Sequence, residues 1–264
     1  MTSGDSGPAL FARLLPDPET LSAAEAVRSV NPRADAQADR PHVALNMVCT
    51  ADGRATLAGR TALIGNRADR ELFHHLRTRF DAVMVGAGTA RVEHYGRLVG
   101  NPDLRALREG NGLSADPLAI IVSASLDLPL RAVPLLGDPD STAALLTASE
   151  REIAGAAARL QYLRASGGTT LDLSAMLARL RSELGVRTIL CEGGPSLNAA
   201  LLAEGLVDEL FLSVSPKLAG GSTPLTIVEG APLPEPVDME LTWLLECHDH
   251  LFLRYRLRAG GKGV

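Results

Sequence analysis

The chain has 264 residues, a length that fits one large α/β domain or two small ones. Hydrophobic residues make up 46% of the chain but aromatic residues only 3%, so the core must consist mainly of leucine, valine, alanine and isoleucine. A formal net charge of −5, with basic residues scattered along the chain, argues against a nucleic-acid-binding surface.

Residues 1–40 are predicted to form an N-terminal extension or linker, because so short a segment cannot bury a core of its own. Within it, Ser22 and Glu25 have the spacing of a capping box and predict the start of a short helix. Met1–Pro8 lacks the features of a signal peptide, and no apolar stretch approaches the length of a membrane span. We therefore expect a cytoplasmic protein without membrane contacts.

From Pro41 onward, short apolar segments alternate with helical patterns. Strands are predicted at 43–48, 81–86, 118–122, 143–147, 188–191 and 208–214, helices at 68–79, 150–160, 171–184 and 196–204, a long loop at 90–116, and a hairpin at 241–257. This order predicts an α/β fold with a mainly parallel central sheet, helices on both sides and a C-terminal antiparallel hairpin. We assign residues 41–258 to this domain and 259–264 to a tail.

Four polar or glycine-rich segments follow predicted strands, at 49–53, 86–93, 123–125 and 192–196. Ligands of such sheets bind at the carboxyl ends of the parallel strands, so the four segments predict one shared site. In the last segment, two glycines and Pro195 begin a helix whose free N–H groups suit an anion such as a phosphate. The alternative is a plain strand-to-helix turn.

The charged candidates each have a structural alternative. Glu192 ends a buried strand, where a carboxylate must either be paired within the protein or face a ligand. Arg77 either reaches the end of the sheet or is solvated. Glu93 and Tyr95 lie in the long loop without an assigned role, and His94 is expected to be exposed there. The cysteines and histidines form no metal-binding motif, and no G-x-S-x-G elbow is present, so neither metal nor serine-nucleophile chemistry is indicated.

Five sequence segments together resemble a known family. They read P-H-V-A-L-N-M-V-C-T-A-D-G at 41–53, L-R-T-R-F-D-A-V-M-V-G-A-G-T at 76–89, I-L-C-E-G-G-P-S-L at 189–197, G-L-V-D-E-L at 205–210 and S-P-K-L-A-G at 215–220. In this order they resemble the reductase domain of the riboflavin-biosynthesis deaminase/reductase, the RibD C-terminal family, over roughly residues 41–257. The deaminase zinc motifs are absent, so the chain looks like a stand-alone reductase of the actinobacterial type.

The resemblance implies a dihydrofolate-reductase-like fold and a homodimer, to which the apolar edges of the final hairpin also point. It implies NADPH-dependent reduction of 5-amino-6-(5-phosphoribosylamino)uracil to 5-amino-6-(5-phosphoribitylamino)uracil. Relatives with this fold reduce pterins, so a dihydrofolate or pteridine reductase is the second hypothesis. A non-catalytic NADPH-binding relative is the third.

The resemblance also implies roles for individual residues. Glu192 and Glu93 are the predicted catalytic residues. The predicted substrate-binding residues are Asn46, Thr61, Arg77, Arg97 and Glu192. The predicted cofactor-binding residues are Cys49, Leu63, Gly86, Gly88, Thr89, Glu93, Ser123, Gly193, Gly194, Pro195, Ser196 and Leu197. Asn46 stands where the bifunctional bacterial enzymes usually have lysine, which leaves the pyrimidine substrate open. By position alone, Thr147, Ser149 and Arg151 are candidates for the 2′-phosphate of NADPH.

Overall fold

The computed structural model of the protein describes residues 7–165, 171–222 and 225–258. The strands are β1 (Leu10–Leu15), β2 (Glu19–Ser22), β3 (His42–Thr50), β4 (Ala82–Gly86), β5 (Leu118–Val122), β6 (Thr142–Thr147), β7 (Arg159–Arg164), β8 (Thr188–Cys191), β9 (Glu209–Ser215), β10 (Met239–Cys247) and β11 (His250–Leu257). The α-helices are α1 (Ala23–Ala26), α2 (Arg67–Leu76), α3 (Ala87–Val92), α4 (Pro102–Gly110), α5 (Leu173–Leu184) and α6 (Pro195–Ala203). The predicted tail at 259–264 lies outside the described residues.

All of these strands join one sheet, in the order β2-β1-β10-β11-β9-β3-β8-β4-β5-β6-β7. From β9 to β7 every neighbouring pair is parallel. From β9 back to β2 every pair is antiparallel, and the last of the chain's hairpins, β10 and β11, lies in this half. The predicted fold class is therefore confirmed.

The helix ends follow from local sequence signals. The Asn66 side chain accepts a hydrogen bond from the Asp69 N–H and caps α2. Gly185 ends α5 with a φ of +67°, a left-handed conformation that glycine adopts without cost. Pro195 occupies the first turn of α6, as its fixed φ and missing N–H favour. The capping box of Ser22 and Glu25 is present at α1.

Helices cover both faces of the parallel half of the sheet. Apolar side chains of α5 and α6, such as Leu177 and Leu201, pack on one face with Ile189. On the opposite face, Leu72 of α2 packs with Phe211 of β9 in a second cluster. No helix in the described ranges is long and apolar enough to cross a membrane.

The helix predicted at 150–160 is wrong. Gly155 lies in the left-handed region with a φ of +73°, which interrupts a right-handed helix. The chain instead enters β7, which pairs in parallel with β6 at the edge of the sheet. An edge strand buries little of either face, so β7 lacks the apolar pattern by which strands are predicted.

The long loop predicted at 90–116 is also partly wrong, because it contains the end of α3 and all of α4. Asn101 caps α4 and Pro102 occupies its first turn, which is a recognisable helix start. In the N-terminal extension, β1 and β2 were not predicted. They add to the antiparallel edge beside β10, so this part of the extension belongs to the sheet.

Candidate active site

The two glycine segments at the ends of β4 and β8 are in direct contact. The Gly86 N–H donates a hydrogen bond to the Gly193 carbonyl at 2.7 Å. A Cβ on Gly194 would lie only 2.5 Å from Thr89 Oγ1, so this position has room for glycine alone without movement of Thr89. The two segments therefore form one continuous backbone surface at the carboxyl edge of the sheet.

A cavity of about 660 Å³ opens on this surface, and we call it the larger cavity. The start of α6, at Pro195 and Ser196, faces it together with Gly88 and Ser123. The unpaired N–H groups of a helix start attract anions, and the close approach of glycine backbone suits an extended phosphate-bearing ligand. A volume of this size is typical of a cofactor site.

A second cavity of about 340 Å³, the smaller cavity, lies beside it. Its lining includes Asn46, Asp69, Phe73, Arg77 and Tyr95. The side chains that line both cavities are Met47, Thr61, Thr89, Glu93 and Glu192. Two ligands, one in each cavity, would meet at this shared wall, which is the arrangement that transfer of a hydride between them requires.

Glu192 is held in the shared wall by a buried ion pair. Arg77 donates from Nε to Glu192 Oε1 at 2.7 Å and from Nη2 to Oε2 at 2.8 Å, and Tyr95 donates its hydroxyl to Oε2 at 2.6 Å. Burial opposes the Arg77 charge, but pairing with Glu192 outweighs it and leaves the pKa of Arg77 above its ordinary value. Burial and the charge of Glu192 hold the pKa of Tyr95 well above its ordinary value, so Tyr95 remains a donor. Both interpretations of Glu192 therefore apply, since it is paired and also faces the cavities.

Glu93 and Thr61 form the opposite part of the same wall. The backbone N–H and the hydroxyl of Thr61 both donate to Glu93 Oε1, at 3.0 and 2.9 Å. Two residues predicted to contact different ligands are thus hydrogen-bonded to each other. Their position fits contact with a ligand in either cavity.

Most predicted site residues line at least one cavity: Asn46, Thr61, Arg77, Gly86, Gly88, Thr89, Glu93, Arg97, Ser123, Glu192, Gly194, Pro195, Ser196 and Leu197. Cys49, Leu63 and Gly193 line neither. Cys49 is buried where β3 pairs with β9, and Leu63 is 53% exposed outside both cavities.

Two further expectations concern charged and hydroxyl groups. Arg97 borders the smaller cavity, but its guanidinium is bound by Asp116 at 3.0 Å and Asp140 at 3.3 Å. The candidates for a 2′-phosphate, Thr147, Ser149 and Arg151, line neither cavity. The Thr147 hydroxyl instead donates to the Ala124 carbonyl at 3.2 Å.

Several lining residues had no site role predicted from the sequence, and of these Asp69 and Arg91 matter most. Asp69 lies in the first turn of α2, where acidic residues are common because they interact favourably with the helix dipole. Its presence there does not by itself indicate a site. Its spacing of four residues from Phe73 and eight from Arg77 was a usable signal, because all three share one helix face. The segment G-A-G-T-A-R at 86–91 matches the first two glycines of a dinucleotide-binding G-x-G-x-x-G fingerprint, and Arg91, which stands in place of the third, borders the larger cavity.

Comparisons with known proteins agree with this geometry. The family model of the RibD C-terminal domain matches residues 41–252. A 2,5-diamino-6-ribosylamino-4(3H)-pyrimidinone 5′-phosphate reductase of Archaeoglobus fulgidus is 29% identical over 192 residues, covering 72% of this chain and 87% of the relative. The enzyme of the same name from Methanothermobacter thermautotrophicus is 27% identical over 223 residues, covering 83% of this chain and 100% of the relative.

Among solved structures, a pyrimidine reductase-like protein from Corynebacterium diphtheriae superposes with a TM-score of 0.72 at 22% identity, covering 91% of this chain and 100% of the other. The fold and the paired cavities define an α/β oxidoreductase of the pyrimidine-reductase class. The chain belongs to the RibD C-terminal domain family. This family implies a nicotinamide cofactor.

Proposed function

We propose that the protein is an NADPH-dependent reductase of riboflavin biosynthesis that reduces a phosphoribosylamino-pyrimidine to its ribitylamino product. The proposal rests on one observation, which is that the two cavities adjoin and share part of their lining. The names of the archaeal relatives support the substrate class. In the reaction, a hydride forms the new C–H bond at C1′ of the opened ribose, and a proton completes the reduction at the neighbouring nitrogen.

The cofactor fits the larger cavity because of the glycine surface there. Gly194 lets the chain pass close to Thr89, where a Cβ would lie 2.5 Å from the Thr89 hydroxyl oxygen, and the start of α6 offers N–H groups to a pyrophosphate. When bound, the nicotinamide supplies the hydride. Thr89 and Ser123 border the same cavity and are available for hydrogen bonds to the cofactor.

The protein's own residues then orient the substrate in the smaller cavity. The ion pair of Arg77 and Glu192 fixes the shape of the wall at which the reacting carbon must lie. Glu192 and Glu93, the two predicted catalytic residues, lie on this wall. Tyr95 keeps its proton and holds Glu192 in place, so its role is one of positioning.

The proposed function is tested by following NADPH absorbance with three compounds in turn. These are 5-amino-6-(5-phosphoribosylamino)uracil, its 2-amino counterpart 2,5-diamino-6-ribosylamino-4(3H)-pyrimidinone 5′-phosphate, and dihydrofolate. Oxidation with either phosphorylated pyrimidine supports the proposal. Oxidation with dihydrofolate alone would replace it with the pteridine-reductase hypothesis, and tight NADPH binding without turnover of any compound would indicate a non-catalytic relative.

Arg91 is the residue we expect to distinguish NADPH from NADH. It borders the larger cavity beside Ser123, and its Nη1 donates to the Asp127 carbonyl at 2.6 Å. We predict that Arg91→Ala lowers kcat/KM for NADPH about tenfold and leaves that for NADH nearly unchanged, because a partly exposed cation contributes on the order of 1.5 kcal/mol to a phosphate contact. Steady-state kinetics with both cofactors checks this. Arg131→Ala, at an exposed arginine that lines neither cavity, is the control, and equal losses for both cofactors would contradict the assignment.

We also propose that two copies associate through one apolar face of the antiparallel half-sheet. Leu15 of β1, Leu241 of β10 and Leu251 of β11 are 42%, 36% and 38% exposed, and the pairing register of these three neighbouring strands places them on the same face of the sheet. Apolar patches of this kind mark interaction surfaces. Analytical ultracentrifugation is expected to find a dimer, which Leu251→Lys should dissociate. Leu218→Lys, at the 83% exposed Leu218 outside this face, should leave the dimer intact, and a monomeric native protein would contradict the proposal.

A cytoplasmic location completes the proposal. The three cysteines, Cys49, Cys191 and Cys247, are buried free thiols in the structure. Reduced thiols persist in the cytoplasm, whereas secreted proteins usually oxidise them. Burial raises the pKa of Cys191 to about 12, so this thiol is inert rather than catalytic.

A further inference from the structure

Asp69 lies in the smaller cavity at a distance from the wall that the two cavities share. It borders the smaller cavity but not the larger one. It also borders a narrow pocket lined by core side chains of α2, β9 and β11, among them Leu72 and Phe252. The carboxylate therefore lies at the end of the smaller cavity that points into the protein core.

The surroundings of Asp69 favour a partner that donates hydrogen bonds. Burial raises the pKa of Asp69, although a hydrogen bond with the Ser213 side chain and the charges of His250 and Arg70 act in the opposite direction. The net effect is that the ionised form of the Asp69 carboxylate is destabilised in the protein without a ligand. A ligand that donates hydrogen bonds to it offsets this cost, whereas a ligand that presents an oxygen increases it.

The shape of this part of the cavity suits a flat heterocycle. Phe73 follows Asp69 by one turn on the same face of α2 and lines the same cavity. The Asp69 carboxylate is in contact with the backbone of Gly65, where a Cβ would overlap it. The Arg77 guanidinium lies over one face of the Phe73 ring, 4.2 Å from its centroid, so a bound ring would pack against the remaining surface of Phe73 while its edge meets the carboxylate.

The two pyrimidines that such a reductase can meet differ at the edge a carboxylate would contact. A 2-aminopyrimidin-4-one presents an N–H and an adjacent amino group, which are two parallel donors. A carboxylate has only acceptors, and it can receive both bonds at once. Uracil presents a carbonyl where the amino group would be, so one carboxylate oxygen would face another oxygen without a proton between them.

We propose that Asp69 is the specificity-determining residue of the smaller cavity and selects a 2-aminopyrimidin-4-one ring over a uracil ring. This inference rests on the proposed function and sharpens it. The preferred substrate is then the pyrimidine that still carries its 2-amino group, so the reaction that removes this amino group acts after the reduction. The 2-amino-4-oxo edge of a pteridine has the same donor pair.

Asp69→Asn is the test, because the amide replaces one acceptor with a donor at nearly constant volume. The amide complements the N–H and carbonyl edge of uracil. We expect the native protein to show a kcat/KM at least about tenfold higher for the 2-amino pyrimidine than for its uracil counterpart, since unpaired polar groups cost about 1–3 kcal/mol. In Asp69→Asn this ratio should fall about tenfold or more, mainly through loss on the 2-amino substrate. Asp103→Asn, an exposed acid in the first turn of α4, is the matched control.

Binding of the ring alone separates this inference from the proposed function. Calorimetry with 2,5,6-triaminopyrimidin-4-one and with 5,6-diaminouracil needs no turnover. Tighter binding of the former to the native protein, lost in Asp69→Asn, supports the inference even if neither phosphorylated substrate is reduced. The inference is overturned if the native protein binds 5,6-diaminouracil more tightly, or if Asp69→Asn weakens the binding of both rings equally. Either result holds whichever compound the enzyme reduces.

Discussion

Glu192→Gln is expected to lower turnover by at least about 100-fold and to destabilise the fold by about 3–5 kcal/mol. Glu192 and Arg77 are both buried, and the guanidinium donates to both carboxylate oxygens. Glutamine has one acceptor and in either orientation turns its N–H₂ group toward an Arg77 donor, which leaves a buried positive charge without its counter-ion. Urea unfolding measures the loss of stability, and single-turnover kinetics measures the loss of activity.

Cofactor affinity should change little in Glu192→Gln, because the glycine surface and the start of α6 do not depend on this carboxylate. The control is Glu183→Gln, which breaks the exposed ion pair with Arg179 on α5 and should alter neither stability nor turnover measurably. Collapse of NADPH binding with intact turnover at saturation would show that Glu192 serves the cofactor and not the substrate.

Gly194→Ala is expected to weaken NADPH binding by about 10- to 100-fold, because overpacking in a rigid site costs on the order of 1–3 kcal/mol. After the effect of Glu192→Gln, this is the largest effect that we predict. The backbone of Gly194 has a φ of −78°, which alanine adopts readily. The loss therefore comes from the new Cβ, which would lie 2.5 Å from Thr89 Oγ1. Fluorescence titration of NADPH measures the affinity.

A double-mutant cycle with Thr89→Ala isolates this contact. Removing the hydroxyl leaves only Thr89 Cβ near the new methyl group, at 3.8 Å, which is an ordinary packing distance. Gly194→Ala should then cost much less in the Thr89→Ala background than in the native protein. Gly110→Ala at the end of α4 is the control, because a Cβ on Gly110 meets no atom within 4 Å and the residue lines neither cavity. Additive losses in the cycle would argue against the steric cause.

Several features of the site can be predicted from the amino-acid sequence because they depend on the chemistry of neighbouring residues in the chain. Strand β8 is four buried residues, and the Gly-Gly-Pro segment after Glu192 leaves few alternatives to a turn and a helix start. Glu192 directly follows this buried strand and therefore has to find a partner or a ligand. The family resemblance rests on the same stretch, so the residues around the larger cavity are the part of the site that the sequence indicates most directly.

The smaller cavity is predicted less completely because its lining residues come from distant elements. The Arg77 and Glu192 side chains are separated by 115 positions in the sequence and by hydrogen-bond distance in the fold. Tyr95 is ambiguous in the sequence, and only the path of the chain after α3 turns it toward Glu192. Arg97 was predicted to meet a phosphate, but Asp116 approaches it from another segment and occupies its guanidinium.

By itself, the sequence determined the fold class, the strand-to-helix turns and the presence of glycine-rich segments at the strand ends, because each follows from local periodicity or backbone freedom. Only the tertiary structure decided which charges neutralise one another and which remain available to a ligand, because pairing depends on distances of a few ångströms between remote segments. Asp69 illustrates the difference. In the sequence it is an acid at a helix start, and in the fold it is a carboxylate with a raised pKa at the core end of the smaller cavity.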